Sequence, residues 1–332
     1  MKATMGAPRL VLLVLALVMS MAGSSYAETW RMATKMPPDN PEGQAFQLFA
    51  DKVAEYSNGE LEVKVYPSEQ LGDTEATLEQ LQAGTVHVYP EGSSYLQKWV
   101  PAIQFMSAPF LFDSREHWAR FMESDLVKGW MAEVEEQAGI TVIGDQTSFL
   151  RGPYRVLVTS RPVASLEDVQ GLKLRLHPDE LAAAAWNHLG AETRVLGWTE
   201  VYESIDRGIV EAVNSPVALV ESMRFYEVAP RIVRHDEYPQ GVAFMVNAAA
   251  YHGLSPELRE AVDKAYADSA AFSAEVMGEV TAESLARMKE QEVTYDEIDT
   301  SAFVERMKTF YEELDKSGEL PEGFLDTINA TR

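Results

Sequence analysis

Two cations spaced two residues apart in an apolar run, Lys173 and Arg175 in Gly171-Leu172-Lys173-Leu174-Arg175, are the side chains best placed to do chemistry. Side chains alternate along a strand, so both point to one face while Leu174 faces the other. A guanidinium is a planar fork of donors that matches a carboxylate two bonds at a time, which makes Arg175 a candidate anchor for an anionic ligand. The same pattern also suits an arginine that caps a strand or pairs with a surface acid. Other chemistries have less behind them. With no cysteine in 332 residues there is no thiol nucleophile, no disulfide and no Cys-ligated metal. No Gly-x-Ser-x-Gly elbow, His-Glu-x-x-His or phosphate loop occurs, and no second histidine or carboxylate recurs at metal-ligand spacing around His177. A secreted hydrolase, whose triad would assemble in space, is the remote alternative to a binding protein.

The chain that positions Arg175 is long enough for two lobes of ordinary domain size. Lys2 and Arg9 precede the apolar run Leu10 to Met19, and small residues end at Ser25-Tyr26-Ala27, which reads as a signal peptide cleaved after Ala27. A membrane anchor would need about 20 apolar residues. The 52 acidic and 28 basic residues make a surface that repels nucleic acid and anionic lipid, and that repels a free anionic ligand at long range. An acid-binding pocket therefore needs cations concentrated locally.

Along the chain, strand and helix patterns alternate. Thr29 to Thr34 and Leu61 to Pro67 read as strands, with a helix through Ala45-Phe46, Leu48-Phe49 and Val53 between them. Asp73 or Thr74 caps a helix carrying Leu78 and Leu81, and Val86 to Tyr89 is the next strand. Helices near His117 to Phe121 and from Leu126 to Ala138 precede a buried strand at Thr141 to Gly144. The helix Glu180 to Leu189 stops at Gly190. Ser255 caps and Pro256 opens a helical pattern reaching about Gln291, roughly 50 Å at 1.5 Å per residue. A last helix spans Ser301 to Leu314.

Several phrases recur in order: Arg161-Pro162-Val163, Ser165-Leu166-Glu167-Asp168, Gly171 to Arg175, Leu189-Gly190-Ala191, Trp198-Thr199-Glu200-Val201-Tyr202, Arg207-Gly208-Ile209-Val210-Glu211 and Ser215-Pro216. In this wording the chain resembles the solute-binding proteins of tripartite ATP-independent periplasmic (TRAP) transporters over nearly its whole mature length. The resemblance implies an α/β periplasmic binding protein, with two α/β lobes, three strand crossings at a hinge and a long lobe-spanning helix. Lobe one is expected at 28–152 and 241–280, and lobe two at 153–240 and 281–332. It also implies a monomer in the periplasm, without cofactor or metal, that is not an enzyme. Its partners would be a small carboxylate-bearing solute and the transporter's membrane subunits, and not nucleic acid.

The same resemblance nominates the cleft. Arg175 binds the carboxylate, a second arginine helps, and either Arg155 or the nearby Arg151 fills that role. Trp198 takes the place of an aromatic that packs on the solute. Thr34 and Lys35 border the cleft, Glu91 faces it, and Gln240 stands where relatives contact ligand. Asp73 is sufficiently explained as a helix cap, with a ligand hydroxyl as its second role. Two departures stand out: His177, where relatives carry valine, either touches the ligand or caps the next helix. Ser215, with Asn214 before it, occupies a slot where relatives place asparagine. The acid- and amide-bearing distal set favours a sugar acid or hydroxy acid, with a C4-dicarboxylate or a keto or aromatic acid as alternatives.

Overall fold

The computed structural model describes residues 28–332, and the expected signal peptide lies outside them. β1 (Glu28–Ala33) leads to α1 (Pro41–Tyr56), which Asn40 caps by accepting from the Glu42 amide. β2 (Leu61–Tyr66) returns parallel to β1, paired from Glu28 with Leu61 to Ala33 with Tyr66. α2 (Thr74–Gln82), β3 (Val88–Glu91), α3 (Arg115–Met122), α4 (Asp125–Ala138) and β4 (Ile140–Ile143) follow. After a crossing come β5 (Arg155–Thr159), β6 (Lys173–Leu176), α5 (Glu180–Leu189), β7 (Glu192–Val195), α6 (Val201–Asp206), β8 (Ala212–Pro216), α7 (Phe225–Val228) and β9 (Arg231–Arg234). A second crossing leads to β10 (Ala243–Asn247), α8 (Ala248–Gly253), α9 (Pro256–Lys289), β11 (Thr294–Glu297), α10 (Ser301–Ser317) and α11 (Phe324–Ala330).

The strands form two sheets, ordered β2-β1-β3-β10-β4 and β11-β9-β5-β8-β6-β7. Parallel neighbours are joined through helices, as the geometry of a crossover requires. Each sheet holds one central strand that arrives from across the hinge. β10 runs antiparallel between β3 and β4, and β5 runs antiparallel between β8 and β9. The lobes are thereby interlocked through strands buried on both faces.

The two extended crossing segments, 144–154 and 235–242, meet in a single antiparallel bridge between Leu150 and Gly241. A Cβ on Gly241 would lie 1.8 Å from the Gln146 carbonyl oxygen, so only glycine admits this approach. The third crossing is a helix and not the strand that was expected. α9 spans about 50 Å at 1.5 Å per residue. Its first half packs on α1, with Tyr56 donating to Asp268, and its second half reaches Glu221 through Ser284 and Arg287. Ser273, mid-helix, donates to the Leu150 carbonyl at 2.7 Å and ties α9 to the bridge.

The C-terminal segment divides between lobes, against the expectation that 281–332 belongs to the second. α10 packs on α5, with His188 and Phe310 rings 5.4 Å apart. Phe324 and Ile328, one turn apart in α11, form an apolar stripe that the first lobe covers. The Phe324 ring is 5.0 Å from Phe105 and 5.8 Å from Phe121. Among the described residues no helix is long and apolar enough to cross a membrane.

Candidate functional site

Between the lobes lies a small cavity that opens to solvent and is lined by residues of both. Strand β6 carries Arg175 to its wall, where it is only 3% exposed. Its Nε and Nη2 both donate to the Leu196 carbonyl, at 3.0 and 2.7 Å, and its guanidinium carbon sits 5.3 Å from the centre of the Trp198 ring. Burial lowers its pKa to about 10, and Arg155 nearby pushes the same way. Among the described residues it has no carboxylate partner.

The other cations of the cleft are matched. Arg155, at the start of β5, donates from Nε to Glu237 at 3.1 Å and from Nη1 to Gln240 at 2.5 Å, and its guanidinium stacks 4.5 Å from the Tyr238 ring. Glu237 also accepts from Asn214 Nδ2 at 2.9 Å and from the Trp186 indole. Burial pushes the Glu237 carboxyl up, yet all three neighbours are donors and none can accept an acid proton. We take it as ionised. The His235 ring meets Asn214 Oδ1 through Nε2 at 2.6 Å and the Arg155 carbonyl through Nδ1 at 3.3 Å; burial and the charge of Arg155 lower its pKa to about 3.

Across the cleft, Arg151 in the first crossing segment bonds Glu42, at the start of α1, and Glu91, at the end of β3. Lys35 lies 2.7 Å from Glu91 Oε2. Burial alone would raise the Glu91 carboxyl, but Arg151 and Lys35 outweigh it and hold the pKa at about 2. Among the described residues Glu91 Oε2 is met by Lys35 and keeps a second lone pair, and the buried Trp198 Nε1 has no acceptor. These are the atoms a bound solute would satisfy.

The description "bacterial extracellular solute-binding protein, family 7" matches residues 32–317. The chain belongs to this family, the solute-binding proteins of TRAP transporters. It is 28% identical, over 90% of its length and 88% of the relative's, to a solute-binding protein of Chromohalobacter salexigens. Two solved TRAP solute-binding proteins superpose with a TM-score of 0.82. One, from a Sulfitobacter species with bound β-D-galacturonate, is 27% identical and covers 92% of this chain and 99% of that one. The other, from Chromohalobacter salexigens with bound D-glucuronate, is 26% identical and covers 91% and 100%.

Within this TRAP-type cleft the expected residues divide. Lys35, Glu91, Arg151, Arg155, Arg175, His177, Trp198, Asn214 and Gln240 all line the cavity. His177 reaches across to Ser94 Oγ at 3.4 Å, while the cap of α5 is Asp179, which accepts from Ala182. Three expected readers of the solute are placed elsewhere. Ser215 is fully buried and donates to the Pro216 carbonyl, because alternation along β8 gives the cleft face to Asn214. Asp73 accepts from the Ala76 amide at 2.9 Å as the cap of α2 and does not line the cavity. Thr34 turns its hydroxyl to the Met36 amide and lines a separate groove beside α1. Asn214 faces the cleft, but its carbonyl oxygen and one amide hydrogen are held by His235 and Glu237.

Glu42, Glu237, His235 and Ser94 carry the site's pairing, with Tyr95 accepting from Lys35 at 3.4 Å, and were not anticipated. His235-Asp236-Glu237-Tyr238-Pro239, charged residues leading into a proline beside Gln240, is the one local signal that could have drawn notice.

Proposed function

We propose that this protein captures a singly charged sugar acid in the interlobe cleft and presents it, in the periplasm, to the membrane subunits of a TRAP transporter. The observation that carries the reading is the buried guanidinium of Arg175, stacked on Trp198 and without a carboxylate partner among the described residues. A buried cation of this kind is stabilised by an anion. Two of its five N–H groups serve Leu196, which leaves three for a ligand carboxylate. Arg151 spends all its nitrogens on Glu42 and Glu91, whereas Arg155 keeps Nη2 free, so Arg155 is the second carboxylate contact. Trp198 covers the sugar face. Glu91 and Gln240 read hydroxyls. The galacturonate- and glucuronate-bound relatives support the ligand class.

Closure is part of the function. Gln97 donates to the Pro178 carbonyl at 3.2 Å, and the Leu181 amide donates to Gln104 at 3.1 Å, both across the mouth between lobes. The lobes, turning about the two crossing segments, are held shut by these bonds and by the solute's contacts to both walls.

The hydrolase alternative finds a Ser-His-Asp grouping here, Ser94, His177 and Asp179. Both Ser94 and Asp179 meet the same ring nitrogen, Nε2, at 3.4 and 3.3 Å. A triad needs the carboxylate on the opposite nitrogen, to fix the tautomer that frees Nε2 as base. The grouping therefore closes the cleft and does not activate a nucleophile.

Isothermal titration of the mature protein with D-galacturonate, D-glucuronate and D-galactonate tests the reading. Saturable binding of at least one is expected. Binding of none, by folded protein freed of co-purified solute, overturns it.

A further inference from the structure

The pairing of charges in the cleft says how many negative charges it accepts. Lys35 has Glu91 at 2.7 Å, Arg151 has Glu42 and Glu91, and Arg155 has Glu237 at 3.1 Å. Arg175 alone of these four lacks a carboxylate. Asp179, behind His177, is taken up as the cap of α5 and lies 3.3 Å from the His177 ring. One anion on Arg175 therefore completes the set. Glu91 is the carboxylate that lines the cavity itself, it is 1% exposed, and its two neighbouring cations are already committed to it. Like charges confined together in a closed, poorly hydrated cleft repel strongly.

We infer that Glu91 is a charge filter: it admits singly charged sugar acids, whose far end offers hydroxyl donors, and rejects acids with a carboxylate at both ends. The inference rests on the sugar-acid reading and narrows it. It separates this cleft from one for dicarboxylates on the basis of Glu91 and not of Arg175, which both kinds of ligand would use equally. A hydroxyl adds a donor to Glu91 Oε2, whose partner among the described residues is Lys35 Nζ at 2.7 Å and which keeps a second lone pair. A second carboxylate brings only another acceptor.

Three acyclic ligands of one carbon skeleton test this: D-galactonate, galactarate, in which the terminal CH2OH is a carboxylate, and galactaramate, in which that second carboxylate is a neutral amide. Titrations into wild-type protein should show galactarate bound about 100-fold more weakly than galactonate, the size expected for a like charge a few ångströms away at an effective dielectric of about 20. Galactaramate, equal in size to galactarate but singly charged, should recover most of that loss. In Glu91→Gln the gap between galactonate and galactarate should narrow about tenfold or more. Galactarate binding as tightly as galactonate, or galactaramate binding as weakly as galactarate, overturns the filter, as does an unchanged gap in a folded Glu91→Gln. Where that variant fails to fold, the three wild-type titrations decide alone. Absence of binding by every monoanionic sugar acid is a different result: it overturns the sugar-acid reading itself.

Discussion

The guanidinium of Arg175 lies 5.3 Å from the centre of the Trp198 ring, and both residues are more than nine-tenths buried although no acid among the described residues pairs with the charge. Cation and ring support each other, and the Leu196 carbonyl fixes the fork. The cleft is thus built with one charge outstanding.

Removing that charge should separate binding from folding. Arg175→Ala is expected to weaken sugar-acid affinity by about 2–5 kcal/mol, the range for truncating one partner of a buried charge pair. The melting temperature of the ligand-free variant should not fall, because the group removed is a buried cation without a carboxylate. Arg175→Lys should also lose affinity, since an ammonium cannot reproduce the fork. Calorimetry alongside thermal melts of both variants checks the pair of outcomes.

Glu237 behaves in the opposite way. It takes hydrogen bonds from Arg155, Asn214 and Trp186. Glu237→Gln turns an amide donor toward these donors and leaves Arg155 uncompensated, which should cost about 3–5 kcal/mol of stability. Denaturant unfolding of the ligand-free variant measures it. A loss confined to ligand binding would contradict the structural role.

Acid should destabilise the protein early, through His235. Its folded pKa is about 3 against an ordinary 6.5, so the neutral ring stabilises the fold above pH 6.5 and that contribution is lost as pH falls toward 3. About 2 kcal/mol should disappear between pH 6.5 and about pH 5, at 1.36 kcal/mol per pH unit. Chemical denaturation across that range should show the slope, and His235→Gln should flatten it.

Asp73 and Ser215 belong to the frame. Asp73→Ala deletes the cap of α2 and should cost about 1 kcal/mol of stability with affinity unchanged. Ser215→Ala should leave affinity unchanged too, since its hydroxyl is buried against Pro216. Titration and melting of both variants test this; a loss of affinity in either would return that residue to the cleft.

What the sequence made legible was what is set locally. Asp73 as a cap, Ser255 and Pro256 at the start of α9, Gly190 closing α5 and the strand placing Arg175 all depend on near neighbours. Ser215 shows the limit: neighbouring residues of β8 face opposite sides, so a displacement of one position exchanges a cleft residue for a buried one. The pairing of Arg151 with Glu42 and of Arg155 with Glu237 was not legible, because 109 and 82 residues separate the partners. Among 52 acids nothing local marks the buried few. The helical third crossing and the return of α11 to the first lobe are likewise tertiary outcomes, decided by which apolar stripe finds cover.

The central claim, that an unpartnered arginine holds the carboxylate of a sugar, is tested most directly by titrating wild-type protein with D-galacturonate and with D-galactose, which shares its ring and hydroxyls but carries CH2OH in place of the carboxylate. The acid should bind saturably and the neutral sugar should show no binding at the same concentrations. Equal binding of both would mean that the cleft reads hydroxyls without the anion, and that Arg175 is not the anchor.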